Sequence, residues 1–306
     1  MAAVLQALFA PGFFHSQPVR QAILIGTIVP VVSGAVGVIT VVRAQSFAGH
    51  ALGALGTLGG SGAFLLHIPP LWGFLGCGFL VAGVIEMAGT QRRSGRDVAT
   101  GLVLSAALGL SALFLYLITV ADTTTGVTMT ILFGSLFALS GVTAPAMLLL
   151  GLLCLLVLAL LYRPLLLSSI SPELAAARGI AGRPLGQAFL MLLALSAALS
   201  SVAVGTILST ALLIGPAATA LRLTRKPATA MLAAAAVGVA STWVGVVLAY
   251  DSFTWPPNGK GWPVSFFVVA VVCTAYLLAA FAGRIRGGRG RATFTGVPAT
   301  ASESAG

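Results

Sequence analysis

The chain has 306 residues, 58% of them hydrophobic and only 7% charged, with a mean hydropathy of +1.06 and a net charge of +10. A soluble domain of this size needs far less apolar surface, and the basic excess is accounted for by membrane topology and anionic lipid, so no nucleic-acid partner is called for. No GxxxxGK[ST] phosphate loop and no HExxH occurs, and span serines such as Ser105, Ser111, Ser196 and Ser209 have no histidine at helical spacing, which argues against an enzyme.

In chain order, residues 1–19 read as an N-terminal interfacial segment. Val4 to Phe14 brings Phe9, Phe13 and Phe14 to a headgroup boundary, and Pro11-Gly12 together with the lack of a basic start argues against a signal peptide. Nine apolar runs follow: 21–42, 49–67, 70–89, 97–121, 141–162, 184–201, 203–221, 227–250 and 263–283. A crossing takes about 20 apolar residues to cover a hydrocarbon core of about 30 Å. Only Ser200, Ser201 and Gly205 separate the sixth run from the seventh, so eight spans are the alternative. The predicted fold class is all-α: a polytopic membrane helical bundle over residues 20–284, then a cytoplasmic tail over 285–306 whose Arg/Gly and Ala/Ser/Thr composition predicts disorder.

Charge sets the expected orientation. Fourteen of the sixteen basic residues fall in alternate loops, at Arg43, Arg92–Arg96, Arg163–Arg183, Arg222–Lys226 and Arg284–Arg291, leaving Arg20 and Lys260 on the other side. The basic side is expected to be cytoplasmic, as is the C-terminus, in a bacterial plasma membrane.

Within the runs, Gly49/Gly53 and Gly56/Gly60 have the small-xxx-small spacing that lets helices approach closely; bundle packing is the first reading, and a helix lining a narrow path the second. His50 lies at the inner start of the second run and His67 at its outer end. Glu86 is an acid in the interior of a span, a functional candidate or the partner of nearby Arg92 and Arg93. Asp122 and Asp251 fall in outer loops, and Trp255 and Trp262 read as interface anchors. The nonamer LFGSLFALS at 132–140 is too short to span and reads as a half-buried or re-entrant helix. Cys77, Cys154 and Cys273 stand alone and read as small buried hydrophobes.

SPELAAARGI at 171–180 is a polar island between long apolar runs. Ser171 as N-cap, Pro172 at the first helical position, Glu173 in the first turn and Gly179 as the stop specify a short helix on the basic side.

Three stretches together resemble a family. SPELAAARGI, VGTILSTALLIGPAATALRLTR at 204–225 and LFGSLFALS are similar, in order and spacing over roughly 20–283, to the permease subunit of ABC-3-type ABC importers, which carry divalent metals such as zinc and manganese. Ser171 stands where that family's coupling segment usually has Asp. The resemblance implies that Ser171, Pro172, Glu173, Leu174, Arg178 and Gly179 couple to a separate ATP-binding subunit, which uses ATP and Mg. It also implies a homodimer of permease chains, an extracytoplasmic solute-binding (lipo)protein docked near Asp122 and Asp251, and no cofactor held by this chain. The candidate path residues are His50, Gly53, Gly56, Glu86 and Pro216. Metal-carrying members often read G-D-A-x-S-H near the start of the second span. Here GHALGA at 49–54 puts His50 in place of Asp, Gly53 in place of Ser and Ala54 in place of His. His50 is thus the candidate metal ligand, and a metal chelate or other small solute carried by the same fold is the alternative. An ion-coupled secondary transporter is a further one, which the scarcity of acids within the spans and the lack of an internal repeat disfavour.

Overall fold

A computed structural model of the chain describes residues 17–88, 93–121, 125–134, 143–224, 226–252 and 261–290. They form eleven helices with no strand among the described residues: α1 Gln17–Val42, α2 Ser46–Leu65, α3 Pro70–Ala88, α4 Arg93–Ala121, α5 Thr125–Phe133, α6 Thr143–Ile170, α7 Pro172–Ala177, α8 Gly182–Val204, α9 Ser209–Leu223, α10 Pro227–Asp251 and α11 Val264–Gly290.

Two helices make the centre. α1 packs against α6, α8, α9 and α10, and α8 packs against α2, α3 and α6 as well. Ile25, Ile39, Phe189, Leu193 and Leu199 on these two helices are fully enclosed. α4 and α6 lie outside this centre and turn Leu102, Leu113, Leu152 and Leu160 outward. Apolar residues at the centre and at the rim alike suit a bundle whose solvent is lipid. Close contacts rely on glycine. A methyl group at Gly59 would overlap the Gly73 carbonyl oxygen, and one at Gly73 the Gly59 carbonyl, so α2 and α3 cross backbone to backbone.

This is a multi-pass membrane protein. Six helical stretches among the described residues are long and apolar enough to cross: 20–42, 100–120, 143–170, 182–204, 227–251 and 264–282. The apolar stretches 70–85 and 209–223 are shorter, and α2 is a 20-residue helix heavy in glycine. The sixth and seventh runs do not fuse. Gly205, at φ +92° and ψ +159°, ends α8 in a conformation that an L side chain rarely adopts, and residues 205–208 are spent on the break.

Proline does not end helices here. Pro164 lies inside α6, which continues to Ile170 beyond the expected end at 162. Arg43 binds this extension, donating to Ser168 Oγ at 2.9 Å and stacking over the Phe189 ring. Pro30 and Pro216 are also helical. The last helix runs to Gly290, so residues 285–290 of the expected tail are helical. The interfacial segment up to residue 16 and the tail from 291 lie outside the described residues.

Candidate functional site

The turn between α1 and α2 places the site. Val42 ends α1, Ala44 takes a positive φ of 54°, Gln45 N donates to the Thr40 carbonyl, and α2 starts at Ser46. With so tight a link, α2 begins beside the Arg43 contact to α6. It then runs alongside α8 and antiparallel to α9: a methyl group at Gly49 would touch Leu213 and Leu193, one at Gly53 would touch Ser209, and one at Gly56 would touch Ser201. The His50 ring Nδ1 lies 3.1 Å from Thr210 Oγ1 in the first turn of α9. Thr210 is about 18 Å of helix from Arg222 at the basic end, at about 1.5 Å per residue. His50 is exposed in the second turn of α2, at the inner start of the second run as expected, and it meets α9 in that helix's first turn.

A cavity of about 350 Å³ opens beside it. His50, Ala54 and Thr57 line it from one stripe of α2, at the four- and three-residue steps that share a helix face. Ser111 and Leu115 close it from α4, Leu132 from α5, and Thr206 from the α8–α9 break. When Nδ1–H donates to Thr210, the imidazole lone pair is on Nε2, the arrangement in which a metal-binding histidine is held by its other nitrogen. Ala54, the position where the resemblance expects a histidine, faces the same space and supplies no donor. Among the described residues, no group of three or more His, Cys, Asp or Glu side chains is placed to hold a metal.

The break between α8 and α9 is stitched to α5. Thr206 N donates to the Ile131 carbonyl at 3.2 Å and Ile207 N to the Leu132 carbonyl at 3.4 Å. Gly134, at φ +74°, and Gly205 come so close that a methyl group on Gly134 would lie 2.5 Å from Gly205 N. A short helix spans 125–133 and overlaps the start of the 132–140 nonamer; residues 135–140 of the nonamer lie outside the described set. Gly134 breaks the helix because its backbone must pass against Gly205.

The other expected residues separate. Gly53 and Gly56 are packing points of α2 and do not line the cavity, nor does Pro216, which is buried in α9. Glu86 lies in the last turn of α3, and its side chain is outside the described set, as is Asp122. Asp251 is the exposed last residue of α10. Cys154 is buried as expected and Cys77 half-buried, whereas Cys273 is exposed. Thr57, Thr206 and Thr210 were missed, although Thr206 and Thr210 stand inside the 204–225 stretch that carried the resemblance.

The polar island forms as its cap residues dictate. Ser171 has an extended φ of −144°, and its Oγ accepts from Leu174 N at 3.3 Å. At the other end Gly179, at φ +75°, donates to the Ala176 carbonyl and Ile180 to the Ala175 carbonyl, a paired closure that a left-handed glycine permits. Only Ala175 of α7 is buried; Pro172, Glu173, Leu174 and Arg178 are exposed.

The family model described as ABC 3 transport family matches residues 15–282, which takes in the cavity, the break and α7. The chain belongs to this family. Its sequence is 31% identical to the manganese import system permease protein ScaB of Streptococcus gordonii, over 79% of this chain and 86% of the relative. It is 26% identical to the high-affinity zinc uptake system membrane protein ZnuB of Haemophilus influenzae, over 84% and 93%. Among solved structures, PsaBC from Streptococcus pneumoniae in complex with Fab matches with a TM-score of 0.73 at 26% identity, covering 91% of this chain and 95% of that one.

Proposed function

We propose that this chain is the membrane permease subunit of an ATP-driven importer and lines the path of a divalent metal cation, manganese or zinc. The observation that carries the reading is the family match over 15–282, and the names of the manganese and zinc relatives support the cargo. The cavity supplies a chemical reason. Its wall carries one imidazole and the hydroxyl side chains Thr57, Ser111 and Thr206 among mostly apolar neighbours, a sparse set that suits an ion in passage rather than one held in a permanent centre.

On this reading the chain pairs with a second copy, and two ATP-binding subunits hydrolyse ATP with Mg on the basic, cytoplasmic side. The exposed α7 docks on one of them through Ser171 to Gly179, with Glu173 and Leu174 facing the partner. The C-terminus is cytoplasmic. An extracytoplasmic binding protein delivers the cargo at the opposite end, where Asp251 and Asp122 are candidates for its docking.

The test is total cellular manganese, zinc and iron, by elemental analysis under metal limitation, in cells lacking the chain and in cells complemented with it. A selective fall in one metal that the wild type restores and His50→Ala does not is the expected result. If the wild type changes no metal, the cargo is a chelate or another solute and the metal reading fails.

A further inference from the structure

Arg222 stands in the last turn of α9, toward the basic link to α10, and is exposed. It is not spent on closing its own helix. Thr224 does that, donating both its N–H and its Oγ–H to the Ala220 carbonyl. The guanidinium turns to α11 instead. Nη2 donates to the Tyr276 hydroxyl at 2.8 Å, and Cζ lies 4.9 Å from the centre of the Tyr276 ring. Arginine has five N–H donors and no acceptor, so Tyr276 is the acceptor in this bond and its own proton is not used in it. Ring and hydroxyl together hold an exposed set of donors in place.

The surrounding helices do not neutralise this cation. α9 packs against α1, α2, α8, α10 and α11. Those five helices contain a single acid, Asp251, which ends α10 at the opposite side, about 36 Å of helix from Pro227. Further positive charge gathers instead. Lys226 is exposed in the link to α10, and α11 carries Arg284, Arg286 and Arg289 beyond its apolar stretch. The rest of the neighbourhood is apolar and bare. α11 packs against α9 and α10 at the edge of the bundle and leaves Leu277 55% and Phe281 59% exposed, while Leu223, next to Arg222, is 49% exposed. A planar guanidinium matches a phosphate, and an exposed apolar wall beside it matches hydrocarbon. A free phosphate would use the first and leave the second bare; a phospholipid uses both.

We propose that Arg222 and Tyr276 form a headgroup site for an anionic phospholipid of the leaflet on the basic side of the bundle. The phosphate sits on the Arg222 guanidinium and the Tyr276 hydroxyl, and the acyl chains run along Leu223, Leu277 and Phe281. The bound lipid ties the basic end of α9 to α11, whatever the cargo.

The experiment is lipid retention by the whole transporter, purified in detergent, titrated with phosphatidylglycerol or phosphatidylcholine and read by native mass spectrometry. The wild type is expected to retain phosphatidylglycerol in preference to phosphatidylcholine. Arg222→Gln should raise the half-saturating phosphatidylglycerol concentration about tenfold, the loss of one charge-assisted contact. Tyr276→Phe keeps the ring, removes the hydroxyl and should raise it by a smaller factor. Arg163→Gln removes an exposed arginine of α6 and should leave it near the wild-type value. Excess inorganic phosphate should not compete. Unchanged retention in Arg222→Gln overturns the proposal, and so does an equal loss in Arg163→Gln, which would mean diffuse attraction to the basic side. Competition by inorganic phosphate makes the ligand a free anion and overturns the lipid assignment. If Arg222→Gln does not reach the membrane, Tyr276→Phe decides alone, and wild-type retention there overturns the proposal. A wild-type transporter with no preference for phosphatidylglycerol also overturns it, and metal uptake by the same cells then leaves the permease reading intact.

Discussion

Replacing Gly205 with alanine tests whether the break between α8 and α9 is built as described. Two costs add. The backbone at φ +92° and ψ +159° lies in a region that essentially only glycine occupies, which costs about 1–3 kcal/mol for an L residue. The new methyl group would also overlap the Leu132 carbonyl oxygen and lie 2.5 Å from Gly134 N. Both are backbone atoms, which cannot rotate away as a side chain can, and overpacking of this kind costs about 1–3 kcal/mol more. The total is about 4 kcal/mol. At about 2–4 °C per kcal/mol for a large domain, the midpoint should fall by about 10 °C. The assay is thermal unfolding of the detergent-purified transporter, followed with a thiol-reactive dye that reports exposure of buried Cys154. Two variants give the contrast. Gly109 has nothing within 4 Å and lies mid-helix in α4, so Gly109→Ala should leave the midpoint unchanged or raise it slightly. Gly179 has φ +75° but open space around it, so Gly179→Ala carries the strain without the overlap and confines it to surface helix α7. If Gly205→Ala unfolds with Gly109→Ala, the backbone crossing with Gly134 does not exist.

The other consequences are separable. Glu173→Arg reverses a charge on the exposed face of α7 without touching Ser171 or Gly179, so the chain should reach the membrane at wild-type level and uptake should fall at least tenfold; retained uptake removes α7 from the coupling role. Gly59→Val forces α2 and α3 apart at the Gly73 carbonyl and should lower membrane abundance sharply, at a cost of about 3 kcal/mol, whereas Gly83→Val, with nothing within 4 Å, should not; similar blot intensities for the two would refute the crossing.

What was legible in the sequence was local. The α7 helix formed on the expected residues because both its ends are fixed by their own side chains and dihedrals: Ser171 accepts from Leu174, and Gly179 supplies the left-handed turn. The membrane class was legible for a similar reason, since composition needs no knowledge of partners. The extent of α6 was not. Arg163-Pro164 looked like an end, yet Arg43, more than a hundred residues earlier in the chain, binds the turn beyond it. The partner of His50 was hidden, because Thr210 reaches it from the first turn of α9, and where that helix begins depends on the four residues spent at Gly205–Leu208. The cavity threonines carried no periodic signal of their own. Thr206 matters because α5, some seventy residues away, offers it a carbonyl.

The break also explains how so short a helix as α5 can persist in such a bundle. Nine residues cover only about 13 Å and cannot cross a core of about 30 Å. Irregular backbone at membrane depth is tolerated where protein satisfies it and it lines a cavity. Here the last turn of α5 satisfies the break: Ile131 and Leu132 present carbonyls from that turn, and Thr206 and Ile207 present amides past the end of α8. Neither can shift without the other. α8 runs from this junction to the basic end, about 34 Å for its 23 residues, and only Arg178–Ala181 separates it from α7. Ile180 within that link packs against the core, so the link is anchored rather than slack. On the proposed reading, force applied to α7 reaches Thr206 through one continuous, largely buried helix and moves the wall of the cavity that carries Thr57 and His50. The arrangement predicts that lengthening Arg178–Ala181 by two glycines uncouples ATP hydrolysis from uptake while leaving the midpoint of unfolding within about 2 °C of wild type, because no core contact of α8 is lost. Uptake that stays proportional to hydrolysis in that variant would mean that movement reaches the cavity by another helix.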